Sequence, residues 1–271
     1  METTNNNIMK RTIILFTTIV FLMSPKVKAQ QDWKTTISGT VSEMTVRIFN
    51  LDSELEIIGH SSNEVILKTT EYRGIPEKAK GLKPLSAYGE DNTNIGLYYN
   101  VKGNTVEISG ASRSANDGEY TIRIPQNIKL KIESDGWNSD NIRVTGMDNE
   151  IEIKANSADI ELVKVSGPLV LHSMNGEIEV DFSQLSQKTP TSINSTNGDI
   201  DISLPASSKA NFRMSCLNGE IYTDLNINMD EGDGKNLNRI GGGMKARGSI
   251  GGGGVEVSLM GLNGNIYLRK K

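Results

Sequence analysis

Five short apolar pairs recur in this chain at an interval of nine residues, and that interval limits what the chain can fold into. They are Ile142/Val144, Ile151/Ile153, Ile160/Leu162, Leu169/Leu171 and Ile178/Val180. Within each pair the two apolar residues lie two apart, so both fall on one face of an extended strand. Nine residues leave room for a strand of about five and a short turn, and for no helix of ordinary length. The pattern resumes at Ile200/Ile202, Phe212/Met214 and Ile221, and looser versions occur earlier, at Val46/Ile48, Leu55/Ile57, Val65/Leu67, Val106/Ile108 and Ile122/Ile124. The runs are separated by Gly, Asn, Asp and Ser, the residues of turns.

A second repeat overlays the first. Asn-Gly, an acid or amide, then Ile appears as Asn175-Gly176-Glu177-Ile178, Asn197-Gly198-Asp199-Ile200, Asn218-Gly219-Glu220-Ile221 and Asn263-Gly264-Asn265-Ile266. The successive spacings are 22, 21 and 45, the last near twice the first two. Repeats of about twenty residues that cannot close a core alone point to an all-β solenoid of stacked coils. In that reading Asn-Gly turns the corners, because both residues tolerate positive φ. The alternative is an antiparallel meander or sandwich, since Asn-Gly between alternating runs is also a hairpin signal, with Cys216-Leu217-Asn218-Gly219-Glu220 as one candidate turn. Two stretches interrupt the pattern. Residues 74–100 carry Pro76 and Pro84 and read as a long excursion, while the Gly-rich residues 229–254 read as a surface loop or irregular coil before a closing strand, Val255-x-Val257-x-Leu259.

The first 29 residues read as a secretory signal. Lys10 and Arg11 precede an apolar run, Thr12–Met23, and Val27-Lys28-Ala29 ends it with a small residue at the cut. Twelve residues cover about 18 Å as a helix, short of the roughly 20 residues that a bilayer core requires. Cleavage after Ala29 leaves residues 30–271 as one β-solenoid domain, with no membrane-spanning segment and a periplasmic, cell-envelope or surface location. The signal carries Lys10, Arg11, Lys26 and Lys28 against Glu2, so of the chain's 29 basic and 33 acidic residues 25 and 32 remain, a net charge of −7. An acidic chain without basic clusters argues against nucleic acid. Cys216 is the lone cysteine and continues the alternation Phe212-Met214-Cys216, so it reads as a buried small hydrophobe.

The segments 50–59 (NLDSELEIIG), 173–182 (SMNGEIEVDF), 195–214 (STNGDIDISLPASSKANFRM), 217–227 (LNGEIYTDLNI) and 251–271 (GGGGVEVSLMGLNGNIYLRKK) resemble the bacterial "putative adhesin" family, a domain of unknown function related to the head domain of auto-transporter adhesins. The resemblance spans Ile37 to Lys271. It implies a right-handed parallel β-helix at the envelope or surface, and it brings no catalytic residues. Family members also occur beside envelope-stress signalling components, which implies a sensor or assembly role as an alternative to adhesion.

Catalytic constellations are not legible. His60 and His172 are far apart and lack companions at metal-ligand spacing, and His172 follows Leu169/Leu171 on the outward phase. Gly234-Lys235 lacks the rest of a phosphate loop, Gly241-x-Gly243-x-x-Ala246 lacks the flanking strand and helix, and Gly248-Ser249-Ile250-Gly251 misses nucleophile-elbow spacing. The chain is therefore read as non-enzymatic, without catalytic, cofactor or metal residues. A carbohydrate-active β-helix is the enzymatic alternative, for which Trp137, Tyr98 and Tyr99 would be candidate sugar platforms; the blander reading has Trp137 covering the side of the solenoid. The expected partner is an envelope or surface protein or glycan. Acids bracket four of the buried isoleucines: Glu150/Glu152, Asp159/Glu161, Glu177/Glu179 and Asp199/Asp201. They read as a solvated face or, more sharply, as a ladder that recruits Ca²⁺ or a cationic wall component.

Overall fold

The computed structural model describes residues 31–70, 72, 74, 76–82, 89–137, 141–229 and 243–271; the expected signal at 1–29 and residues 230–242 of the Gly-rich stretch lie outside the described residues. The nine-residue interval builds a strand that crosses to the opposite sheet each time. β8 (Lys129–Ser134), β10 (Ile151–Ala155), β12 (Leu169–Ser173) and β14 (Thr191–Asn197) lie in sheet B. β9 (Ile142–Thr145), β11 (Ile160–Val165), β13 (Ile178–Phe182) and β15 (Ile200–Leu204), which alternate with them in the chain, lie in sheet A. Two half-coils return the chain to its own sheet, so Ile142 pairs with Ile160, Ile160 with Ile178, and Ile151 with Leu169, all in parallel register. The molecule is a two-sided parallel β-solenoid. The meander alternative fails along the body because each successive strand joins the other sheet.

Between the sheets lies one continuous core. In sheet A, Leu55, Ile142, Ile160, Ile178, Ile200 and Ile266 stack as one column, each at most 1 % exposed. A parallel column in sheet B runs Ile48, Ile132, Ile153, Leu171, Ile193 and Leu259. Each coil buries its apolar face only through its neighbours, which is why the array is one folding unit.

The order of the coils is not the order of the chain. β2 (Thr45–Phe49) and β3 (Glu54–His60) form a coil that stacks directly on β8/β9, whereas the later pair β6 (Thr105–Gly110) and β7 (Glu119–Pro125) lies outside it. The same inversion occurs at the other end. β16 (Ala210–Asn218) and β17 (Ile221–Thr223) take the outer position, and the last pair, β20 (Val255–Asn263) and β21 (Ile266–Lys270), inserts between them and β14/β15. Antiparallel strands close both ends. β4 (Glu64–Thr69) joins β1 (Gln31–Thr36) to β7, and β5 (Leu97–Lys102) pairs with β6. At the far end β19 (Met244–Ile250) pairs with β16, and β18 (Asn228–Met229) with β19. Reversing strand direction ends the repeat at both edges of sheet B and at the N-terminal edge of sheet A, while β17 remains the parallel edge of sheet A at the other end.

The described parts of both interruptions are thus more ordered than their composition implies. Met244–Ile250 of the Gly-rich stretch is a strand, because Ala246 and Ile250 bury their side chains while Lys245 and Arg247 face water. Within residues 74–100, the Asp91 carboxylate accepts the backbone N–H groups of Thr93, Asn94 and Gly96 at 2.8–3.0 Å. Leu97 then enters β5, where Tyr99 meets Trp33 across the end of the core with ring centroids 4.6 Å apart.

The Asn-Gly phrases do form stacked corners, but positive φ is not their common feature. None of the four asparagines has it, and of the four glycines Gly198 (φ 157) and Gly264 (φ 151) do while Gly176 and Gly219 do not. The glycines are required by close stacking instead: a Cβ on Gly176 would lie 2.2 Å from the carbonyl oxygen of Ala158, one on Gly198 2.2 Å from that of Gly176, and one on Gly219 2.1 Å from that of Gly264. The asparagines form an amide ladder in spatial rather than chain order. Asn197 Nδ2 donates to Asn175 Oδ1 at 2.8 Å, Asn263 to Asn197 at 2.7 Å, and Asn218 to Asn263 at 2.8 Å. Because these side chains are exposed and water can replace a lost partner, Asn197→Ala should cost only about 1 kcal/mol, read as a small shift in the urea midpoint with unchanged slope. Beside this ladder Cys216 is fully buried; its thiol donates to the Gly264 carbonyl at 2.9 Å, and burial, helped by Asp199, pushes its pKa up.

Candidate docking face

The four acid pairs do not form one ladder. Because successive half-coils alternate sheets, Glu150 and Glu152 belong to sheet B, whereas the other three pairs stack on the outer face of sheet A. On sheet B the acids are matched one for one with bases: Lys129 lies 3.5 Å from Glu150, Lys131 2.8 Å from Glu152, and Arg47 donates to Glu133 at 3.0 Å while stacking over Phe49. Partial burial would raise the Glu133 carboxyl, but Arg47 and Lys131 outweigh it and hold that carboxyl below its usual range.

Sheet A is different. Its outward rows place Glu56, Arg143, Glu161, Glu179, Asp201 and Tyr267 side by side on neighbouring strands. The adjacent corner row runs Glu54, Asn141, Asp159, Glu177, Asp199, Asn265 and Glu220. Two shallow depressions of about 260 and 200 Å³ follow these rows and meet at Asn141 and Arg143. Arg143 pairs with Glu161, Arg269 grips Asp201 with three hydrogen bonds of 2.7–2.9 Å, and Lys271 pairs with Asp181. Asp159 and Asp199 spend one carboxylate oxygen each on the backbone N–H of the next coil, at Glu177 and Asn265. Glu177 and Glu179 remain exposed in the second depression and make no ion pair with any described residue. Among the described residues no three His, Cys, Asp or Glu side chains converge to hold a metal ion. Flat strands keep the acids in rows about 4.8 Å apart, a spacing that spreads charge over a face rather than wrapping an ion.

At the C-terminal end the acidic rows meet two tyrosines. Tyr222 and Tyr267 stack with centroids 5.4 Å apart and planes inclined by 12°; Arg269 lies 5.4 Å over Tyr267, and Tyr222 donates to Glu220 at 2.6 Å. That hydrogen bond and the charge of Glu220 push the Tyr222 phenol up. The pair was legible in principle: both follow an Asn-Gly-x-Ile phrase at the same offset, although 45 residues separate them in the chain. The aromatics singled out from sequence lie elsewhere. Tyr99 packs at the opposite end, and Trp137 is 69 % exposed rather than covering the solenoid. The histidines fall on different sheets: His60, in β3, has Nδ1 3.0 Å from the Ser62 hydroxyl, and His172, in β12, lies on the outer face of sheet B beside Lys154 and Asn194.

Solved structures with related form include a "putative cell adhesion protein" from Clostridium sporogenes ATCC 15579, 16 % identical, with 90 % of this chain and 100 % of that one aligned and a TM-score of 0.48. A "putative adhesin" from Bacteroides fragilis NCTC 9343 aligns over 90 % and 98 % of the two chains at 9 % identity, with a TM-score of 0.31. No curated protein matches the chain. Residues 24–250, most of the two-sided solenoid included, match the Toastrack DUF4097 family, and the chain belongs to that family.

Proposed function

We propose that this protein is an exported, non-enzymatic binding scaffold of the cell envelope or surface, and that the outer face of sheet A docks a cationic partner. The observation that carries the reading is the contrast between the sheets: the acids of sheet B are neutralised by adjacent bases, while Glu177 and Glu179 stand exposed in a depression of sheet A and pair with no base among the described residues. A like-charged face raises the local concentration of an oppositely charged partner and steers its approach. The wide separation of His60 from His172, on different sheets, supports a scaffold over an acid–base enzyme. Among the described residues no helix is long and apolar enough to cross a membrane. Export rests on Lys10, Arg11, Thr12–Met23 and Ala29, and the intact mass of protein taken from its native envelope should begin at Gln30.

The docking reading is tested by retention of envelope components on immobilised full-length protein at low salt. Glu177→Lys with Glu179→Lys should reduce retention at least about tenfold, since each reversed charge in a docking face changes binding by a sizeable factor. Equal retention by the variant would remove sheet A from the function.

A further inference from the structure

The face opposite the acidic one has the complementary chemistry. From β12 through β14, β20 and β16 to β19, the outward residues of sheet B are Val, His, Ser, Asn, Met, Leu, Arg and Lys, with Glu256 as the acid, held at the rim 3.6 Å from Arg213. The register sets Arg213 beside Arg247, Lys245 beside Ser215, and Ser215 beside Met260. Met260, Leu262 and Leu217 are 54 %, 40 % and 40 % exposed and lie together on neighbouring strands. Lys245 and Arg247 are exposed and make no ion pair with any described residue. The same coils carry Glu177, Glu179, Asp181, Asp199 and Asp201 on their other side. The C-terminal half of the solenoid is thus a slab, acidic on one broad face and basic on the other, with an apolar patch at the corner end of the basic face.

We propose that the protein associates with itself, the basic and apolar end of sheet B on one copy seating against the acidic face of sheet A on the next. The inference rests on the reading of sheet A as a docking face and names its partner as a second copy of this chain. Charge complementarity selects that occupant: the exposed cations and the exposed carboxylates are presented on sheets of the same strand spacing, with Met260, Leu262 and Leu217 positioned to exclude water along the corner edge of the contact. The two surfaces are different and lie on opposite sides of the slab, so the contact is heterologous and builds a stack whose end copies present one free face of each kind. A purely attractive electrostatic contact between exposed groups weakens as the screening length falls from about 30 Å at 0.01 M salt to about 3 Å at 1 M.

The test is sedimentation velocity of the full chain, in low and high salt, for the wild type and two charge-reversed variants. Arg213→Glu with Arg247→Glu makes both faces acidic; Glu177→Lys with Glu179→Lys makes the acidic face basic. The wild type should form concentration-dependent oligomers in low salt that dissociate in high salt. Each variant alone should remain monomeric, and an equimolar mixture of the two should associate again, because each then offers the face that the other lacks. If the sheet B variant melts early, Met260→Ser with Leu262→Ser challenges the same face without altering charge and should also weaken association. A wild type that is monomeric in low salt, variants that associate as the wild type does, or a mixture without recovery would each overturn self-association. Envelope retention that is lost with Glu177→Lys and Glu179→Lys in a protein that never self-associates would overturn this inference alone and leave the docking face standing.

Discussion

A chain ending at Ile250 should lose protected structure in β16, β17, β18 and β19, not merely its last coil. In an array stacked in chain order, removing the terminal repeat deletes one interface and leaves the rest standing. Here β20 lies between β14 and β16, and β21 between β15 and β17, so their removal separates β16, β17, β18 and β19 from the rest of the solenoid. The deleted coil buries Val257, Leu259, Ile266 and Leu268, each at most 1 % exposed. At roughly 1.5–3 kcal/mol for each such side chain, the loss is about 6–12 kcal/mol, comparable to the whole stability of a typical domain. Hydrogen exchange should show β16 and β19 unprotected while β8 to β13 retain slow amides. Native protection of β16 and β19 in the shortened chain would mean that the insertion carries little energy.

Gly198→Val should be the most damaging glycine substitution among the four Asn-Gly corners. A Cβ there would run into one backbone peptide, 2.2 Å from Gly176 O, 2.6 Å from Gly176 C and 3.1 Å from Glu177 N. Backbone cannot rotate away as a side chain can. The coils would have to part locally, against hydrogen bonds such as Asn197 N–H to Met174 O and Ile178 N–H to Asp199 O, both at 2.9 Å. Overpacking of this kind costs about 3 kcal/mol or more, which in a chain of this size lowers Tm by roughly 6–12 °C. Gly39→Val is the control. Gly39 has φ +109 and open space around its missing Cβ, so only conformational strain applies and about 1 kcal/mol is expected. Equal Tm shifts for the two would mean that positive φ, rather than coil-to-coil contact, selects glycine at the corners.

The solenoid was legible because its cause is local: a strand that alternates apolar and polar residues declares which face is inward, and a constant interval declares that the strands are equivalent. Burial of Ile142, Ile151, Ile160, Leu169 and Ile178 follows from that pattern alone, as does that of Cys216 from its place after Phe212 and Met214. The strand Met244–Ile250 was hidden by glycines whose neighbours, Lys245 and Arg247, gave it a polar composition, although Ala246 and Ile250 keep the inward phase. The docking face was half legible. The acids at 159–161, 177–179 and 199–201 were evident, but a linear reading grouped them with Glu150 and Glu152 because all flank buried isoleucines.

What the amino-acid order determined by itself is the half-coil: where strands lie, which side of each is buried, and where they turn. Only the tertiary structure decided which half-coils are neighbours. Equivalent coils offer nearly the same columns of Ile, Val and Leu to one another, so periodicity does not distinguish β16/β17 from β20/β21 as the coil that stacks on β14/β15. The choice is made by long-range pairings, Thr191 with Val257 and Ile200 with Ile266, and by the antiparallel closure of β16 by β19. Those same pairings bring Tyr267 beside Asp201 and Met260 beside Asn194, and so complete an acidic face on one side of the slab and a basic, apolar one on the other.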